Sequence, residues 1–208
     1  MALARLILAS ASPRRQSLLR EAGFEFIIHP ADIDETLFPP HLNLPDLALY
    51  LATAKAEAVS GHYPGDVILG ADTVVAHAEQ WLSKPTDADD ARRMLRLLSG
   101  TTHRVITGVC AIAPERKVRR AEAVISTVQM RPMSSWEIEA YIEGGEWRGK
   151  AGAYGIQDAD PFVTRTTGSH TNIVGLPMET VVPLLGELGI HPMHTPGLSG
   201  PDSFCSKG

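Results

Sequence analysis

The chain of 208 residues, 44% hydrophobic and 21% charged, has ample material for one large domain or a two-lobed one. Its formal charge of −5 excludes generic, charge-driven nucleic-acid binding and leaves room only for a local basic cleft. The two cysteines, Cys110 and Cys205, supply neither a disulfide framework nor metal-ligand spacing.

At the N-terminus, "LILASA" is too short for a secretion signal and is cut off by Pro13-Arg14-Arg15. No stretch reaches the roughly eighteen apolar residues of a membrane span, so a cytoplasmic protein is expected. "RLILAS" reads as a strand that leads into a helix, with Ser12 as N-cap and Pro13 in the first turn. Arg14 and Arg15 then stand at the positive end of the helix dipole, which costs about 0.3–1 kcal/mol per charge at an exposed site. A bound anion would remove that cost, with hydroxyls from Ser10 and Ser12 and two guanidiniums to hold it. The alternative is two side chains snorkelling into water.

"EFIIHP" reads as a second strand. "DIDET" groups Asp32, Asp34 and Glu35, either as a solvated acidic turn or as part of a metal site. "PDLALYLATAKAEAVS" carries a helical apolar stripe at 47, 51, 54 and 58. Lys55 lies roughly 40° from Leu51 at about 100° per residue, inside that stripe, so it must snorkel or meet an anion. "DVILGADTVVAH" reads as a strand buried on both faces with a single carboxylate, Asp72. Burying it unpaired is costly, which calls for a cation, a metal or a changed protonation state.

"SKP" places Lys84 just ahead of the helix "TDADDARRMLRLLSG". Thr86 is expected to cap that helix, its acids lie in the first turn and its arginines follow, as the dipole prefers. "THRVITGVCAIAP" and "VRRAEAVISTVQMRP" read as paired strands, with Cys110 a reduced core residue. "SSWEIEAYIEGG" offers a capping box at Ser134 and Glu137. "GEWRGKAGAYGIQD" reads either as a mobile surface loop or as a ligand loop, in which Gln157 could address a nucleobase edge. "GLPMETVVPLLGELGI" is a final helix starting at Pro177. The Pro/Gly/Ser-rich tail 191–208 is expected to be disordered.

"LASASPRRQSLL", "DIDE", "ATAKA", "GADTVV", "SKP", "SGTTHRVITGV", "GKAGAYGIQ" and "NIVGLP" follow one another in the order found in the Maf family of nucleoside triphosphate pyrophosphatases. The chain resembles that family from Leu6 to about Ile190. The resemblance implies a mixed α/β sheet in two lobes around a central cleft, similar to the inosine triphosphatase fold, as one domain over 1–190 and as a homodimer. It also implies cleavage between the α- and β-phosphates by a divalent cation, Mg²⁺ or Mn²⁺, and an activated water. By the same resemblance Asp72 is the proton acceptor, and Arg14, Thr73 and Gln157 select the substrate. Ser10, Arg14, Arg15, Lys55 and Lys84 bind phosphate, while Glu35 and Asp72 hold the metal. "GAYGIQ" resembles the subgroup acting on dTTP and UTP, whereas a "GSF"-like sequence marks the 7-methyl-GTP subgroup. A nucleotide-sensing regulator of cell division is the alternative reading.

Overall fold

The computed structural model describes residues 4–193 except 79 and 158–161. The expected disordered tail lies, from residue 194 onward, outside the described residues. Its first strand, β1 (Leu6–Leu8), pairs in parallel with β2 (Phe26–Ile28) on one side and with β3 (Val67–His77) on the other. Parallel pairing needs long crossovers, and α1 (Pro13–Glu21) and α2 (Leu44–Ser60) supply them. From β3 onward the pairing is antiparallel, to β4 (Gln80–Leu82), β5 (Thr102–Ala113), β6 (Val118–Met130) and β7 (Val163–Thr167). The strand order is β2-β1-β3-β5-β6-β7, with β4 on β3, which is the mixed sheet expected.

The period-2 rule assigns the covering layers. On one face Val67, Leu69 and Ala71 pack with Leu19 of α1 and with Val181 and Leu185 of α6 (Met178–Glu187). Further along that face, Val75 and Val105 join a second core with Leu95 of α3 (Ala88–Leu98) and Ile138 of α4 (Ser135–Gly144). Between the two cores stand the cross-strand partners Thr73 and Thr107. The expected cleft between lobes is the gap between these cores.

Among the described residues, α2 is the one helix on the opposite face. Its buried side is Leu47, Ala48, Leu51, Ala52, Lys55, Ala56 and Val59, so the stripe is rotated from the 47–51–54–58 reading and Ala58 is exposed. Small residues set the helix close to the sheet. A Cβ on Gly70 would fall 2.2 Å from the Ala52 carbonyl oxygen, and one on Gly108 would fall 2.3 Å from that of Ala48. Gly108→Ala should therefore force α2 outward and destabilise the protein by about 3 kcal/mol in urea unfolding. Gly61→Ala, whose Cβ meets nothing within 4 Å, should cost far less.

Local signals hold with two corrections. The Ser134–Glu137 capping box forms as expected. The cap of α3 is Asp87, which accepts from the Asp90 N–H, rather than Thr86; Asp caps as well as Thr, and Thr86 lies one residue too early. Ser12 stands at the N-cap of α1, but its hydroxyl makes no capping bond.

Candidate active site

On one edge β3 is hydrogen-bonded throughout to β5. On its other edge β1 pairs only at Val67–Leu69 and β4 only at Val75–His77. Residues 70–74 are left without a strand on that side, and this gap holds Asp72 and Thr73. A cavity of about 360 Å³ opens there, lined also by Ser10, Arg14, Arg15, Glu35, Lys55, Lys84, Gln157 and Gly175. Ser10, Arg14, Arg15, Glu35, Lys55, Asp72, Thr73, Lys84 and Gln157 thus face one space, whereas Asp32 and Asp34 do not line it.

Asp72 points toward α2, where Lys55 reaches it. Lys55 Nζ lies 2.5 Å from Asp72 Oδ1 and 2.8 Å from Glu35 Oε1, and both Lys55 and Asp72 are about 6% exposed. Among the described residues nothing donates to Asp72 Oδ2. Lys84, which is exposed, contacts Glu35 Oε2 at 3.1 Å. Burial alone would push the Glu35 carboxyl up, but the hydrogen bond and charge of Lys55, with Lys84, outweigh it and hold the group at about 2. Lys55 therefore meets an anion, in fact two, and the acidic turn is drawn into the site through Glu35.

Arg15 does not snorkel. It is 9% exposed and donates from Nε to the Gly175 carbonyl at 2.8 Å, from Nη1 to Ser10 Oγ at 3.0 Å and from Nη2 to Thr73 Oγ1 at 3.1 Å. Burial lowers its pKa, with Asp72 as the main opposing charge. All three acceptors are neutral. Arg14 is half-buried and reaches across the mouth to the Gly149 carbonyl at 3.3 Å.

The glycine-rich segment is packed in as well as open to the cavity. Trp147 and Tyr154 are buried, Gly152 takes a positive φ against Val75, and Gln157 is exposed at the rim. Tyr154 is pinned by His103, whose Nε2 lies 2.6 Å from its hydroxyl. Burial, helped by His77, pushes His103 down to about 4. Because the unfolded imidazole titrates near 6.5, this contribution is whole above that pH and is lost as pH falls from 6.5 to 4. Urea unfolding should register a loss of about 3 kcal/mol across that range, absent in His103→Gln.

Three contributors were not singled out in the sequence. Gly175, at φ +121°, exposes its carbonyl to Arg15, and a Cβ there would crowd the cavity 3.5 Å from Thr73 Oγ1. Thr107 and Asn172 lie behind Thr73. The sequence signals for them were two motifs of the family resemblance, "SGTTHRVITGV", which contains Thr107, and "NIVGLP", which contains Asn172 and Gly175.

The two carboxylates facing the cavity suit a hard divalent cation that completes its coordination with substrate oxygens and water. Among the described residues no cluster of three or more His, Cys, Asp or Glu forms a self-sufficient metal cage. Two carboxylates leave most positions around such a cation to oxygens from elsewhere.

Five cations (Arg14, Arg15, Lys55, Lys84 and Lys150) and two carboxylates around one cavity in a mixed sheet have the chemistry of a site for a polyanion. The chain belongs to the Maf family, whose model, described as Maf-like protein, matches residues 5–188. It is 48% identical over 193 residues to a dTTP/UTP pyrophosphatase of Rhizobium etli, covering 88% of this chain and 92% of that one. It is 46% identical over 194 residues to a dTTP/UTP pyrophosphatase of Brucella abortus, covering 89% and 92%. A HAM1 protein from Coxiella burnetii shares 16% identity at a TM-score of 0.47, covering 89% of this chain and all of that one.

Proposed function

We propose that this protein hydrolyses dTTP and UTP to the nucleoside monophosphate and pyrophosphate. The observation that carries the proposal is the junction of Asp72, Lys55 and Glu35 at the edge gap of β3, with Arg14, Arg15 and Lys84 around the same cavity. The names of the relatives from Rhizobium etli and Brucella abortus support the choice of nucleotide. The family resemblance of "GAYGIQ" supports it over 7-methyl-GTP.

In this reading Asp72 accepts the proton of the attacking water through Oδ2, while Lys55 holds Oδ1 and fixes the plane of the carboxylate. Oxygen attacks the α-phosphorus, the bond to the bridging oxygen breaks, and pyrophosphate leaves with the electron pair. Arg14, Arg15, Lys55 and Lys84 neutralise the charge that gathers on the leaving group, and Ser10 holds Arg15 toward it. Glu35 and Asp72 would hold Mg²⁺ or Mn²⁺, which would supply Lewis-acid charge stabilisation and make water more acidic. Thr73, Arg14 and Gln157 address the nucleoside. Residues 1–190 act as one two-lobed domain in a cytoplasmic homodimer. Among the described residues, no helix is long and apolar enough to cross a membrane.

The test is pyrophosphate release across a panel of triphosphates with added Mg²⁺. Turnover of dTTP and UTP well above that of 7-methyl-GTP is expected. A preference for 7-methyl-GTP, or no release from any triphosphate, would overturn the proposal.

A further inference from the structure

Thr107 is fully buried on β5, directly across the ladder from Thr73. Its Oγ1 lies 3.0 Å from the main-chain oxygen of Asn172 and 3.0 Å from Thr73 Oγ1. A carbonyl only accepts, so the single Thr107 proton goes to Asn172. Thr107 can then only accept from Thr73, and the single Thr73 proton is drawn to the buried side. Arg15 Nη2, a pure donor, occupies one Thr73 lone pair at 3.1 Å. What remains on Thr73 for the cavity is a lone pair without a proton.

The end of this relay does not swing. Asn172 has no exposed surface, and its Nδ2 donates to the Val105 carbonyl at 3.1 Å and to Ser126 Oγ at 2.8 Å. Its own N–H donates to Ser169 Oγ at 3.0 Å. The direction of every proton is therefore set from a buried backbone carbonyl outward to the substrate.

We propose that Thr107 is a positioning residue that holds the Thr73 hydroxyl as an acceptor toward the cavity, so that the nucleoside group seated on Thr73 must be a hydrogen-bond donor. The inference rests on the triphosphate reading above. Two nucleoside groups share that chemistry, the imide N–H of uracil and thymine and a sugar hydroxyl. Cytosine presents an acceptor at the ring position of that imide, and a 3′-deoxy sugar lacks its hydroxyl. An acceptor covered by either, and so shut off from water, would be left unpaired, which is a stronger discrimination than a missing apolar contact.

The experiment compares kcat/KM for dTTP, dCTP and 3′-deoxythymidine triphosphate in wild type, Thr107→Val and Thr107→Ser. Valine keeps the shape but removes the relay, releasing the Thr73 proton toward the cavity. The wild-type preference for dTTP should fall about tenfold in Thr107→Val and return in Thr107→Ser. A fall against dCTP assigns the imide as the donor, and a fall against the 3′-deoxy analogue assigns the sugar. Equal losses on all three substrates, or unchanged ratios, overturn the inference. Neutron diffraction on deuterated wild type reads the same point without turnover. A deuteron on Thr73 Oγ1 directed at Thr107 supports the relay, and one directed into the cavity overturns it. A wild type that cleaves no triphosphate would sink the functional reading while leaving the neutron result to decide the hydroxyl direction.

Discussion

Asp72→Asn is expected to lower pyrophosphate release by about a hundredfold to ten-thousandfold while leaving the fold and its unfolding midpoint nearly unchanged. The amide oxygen can still accept from Lys55 at the place of Oδ1, so the lysine keeps both that contact and Glu35. What the amide lacks is a basic oxygen at the place of Oδ2, where no protein donor intervenes among the described residues. The loss should fall on kcat rather than on nucleotide affinity, because the cations that would hold phosphate remain. Steady-state kinetics with a far-ultraviolet circular dichroism control decide the matter. Retention of near-wild-type kcat would remove Asp72 from the role proposed for it.

Lys55→Met carries the largest combined effect. Among the described residues, the lysine is the only group in contact with both carboxylates, and the buried Asp72 has no other ion-pair partner. Removing one member of a buried pair costs about 3–5 kcal/mol, because the surviving charge stays in a medium that solvates it poorly. Glu35 gives a second readout. Burial is the largest influence on that carboxyl and acts upward; without Lys55 the main opposition left is Lys84, with the more distant charge of Arg15. Its titration should therefore move up from about 2 toward the ordinary carboxylate range. In wild type, the stability that comes from this depressed value is present above about pH 4.5 and is lost as pH falls toward 2. In the variant that acid limb should shrink. Urea unfolding, carboxyl titration by NMR and pyrophosphate release together test the lysine, and a variant that keeps all three would contradict its placement.

Lys55 also shows what could be read without coordinates. In a regular helix its angular place follows from counting, so a cation facing the sheet was legible, as was an unpaired carboxylate in the buried strand at Asp72. That the two meet depends on how closely α2 approaches the sheet. This is set by Gly70 and Gly108, whose pairing with the Ala52 and Ala48 carbonyls spans separate segments. The stripe itself was misjudged by a fraction of a turn, because alanines at 48, 52 and 56 are buried where the helix runs nearest the strands. Glu35 sits in an irregular loop whose position no periodicity reports; the acidic run "DIDET" left it between a solvated turn and a metal site, and the family resemblance pointed to the site.

Short elements escaped for a different reason. The three residues of β4, the five of β7 and the five of α5 (His170–Val174) are too brief for either period to rise above chance. Each matters to the site. β4 closes one end of the gap beside β3, and α5 brings Asn172 and Gly175 over Thr107 and Arg15. Thr107 looks like any β-branched residue in a strand, and only its register partner reveals a relay.

The interrupted edge of β3 also has a dynamic signature. Alternate amides along residues 70–74 turn toward the gap rather than the β5 ladder. Hydrogen exchange along this segment should therefore alternate, with amides bonded to β5 opening only with global unfolding and their neighbours exchanging through the cavity. A nucleotide filling the space should slow the second set and leave the first untouched. Asp72 and Thr73, carried this way, are expected on a slowly opening segment whose flank faces the cavity, so ligand access should require no strand to separate.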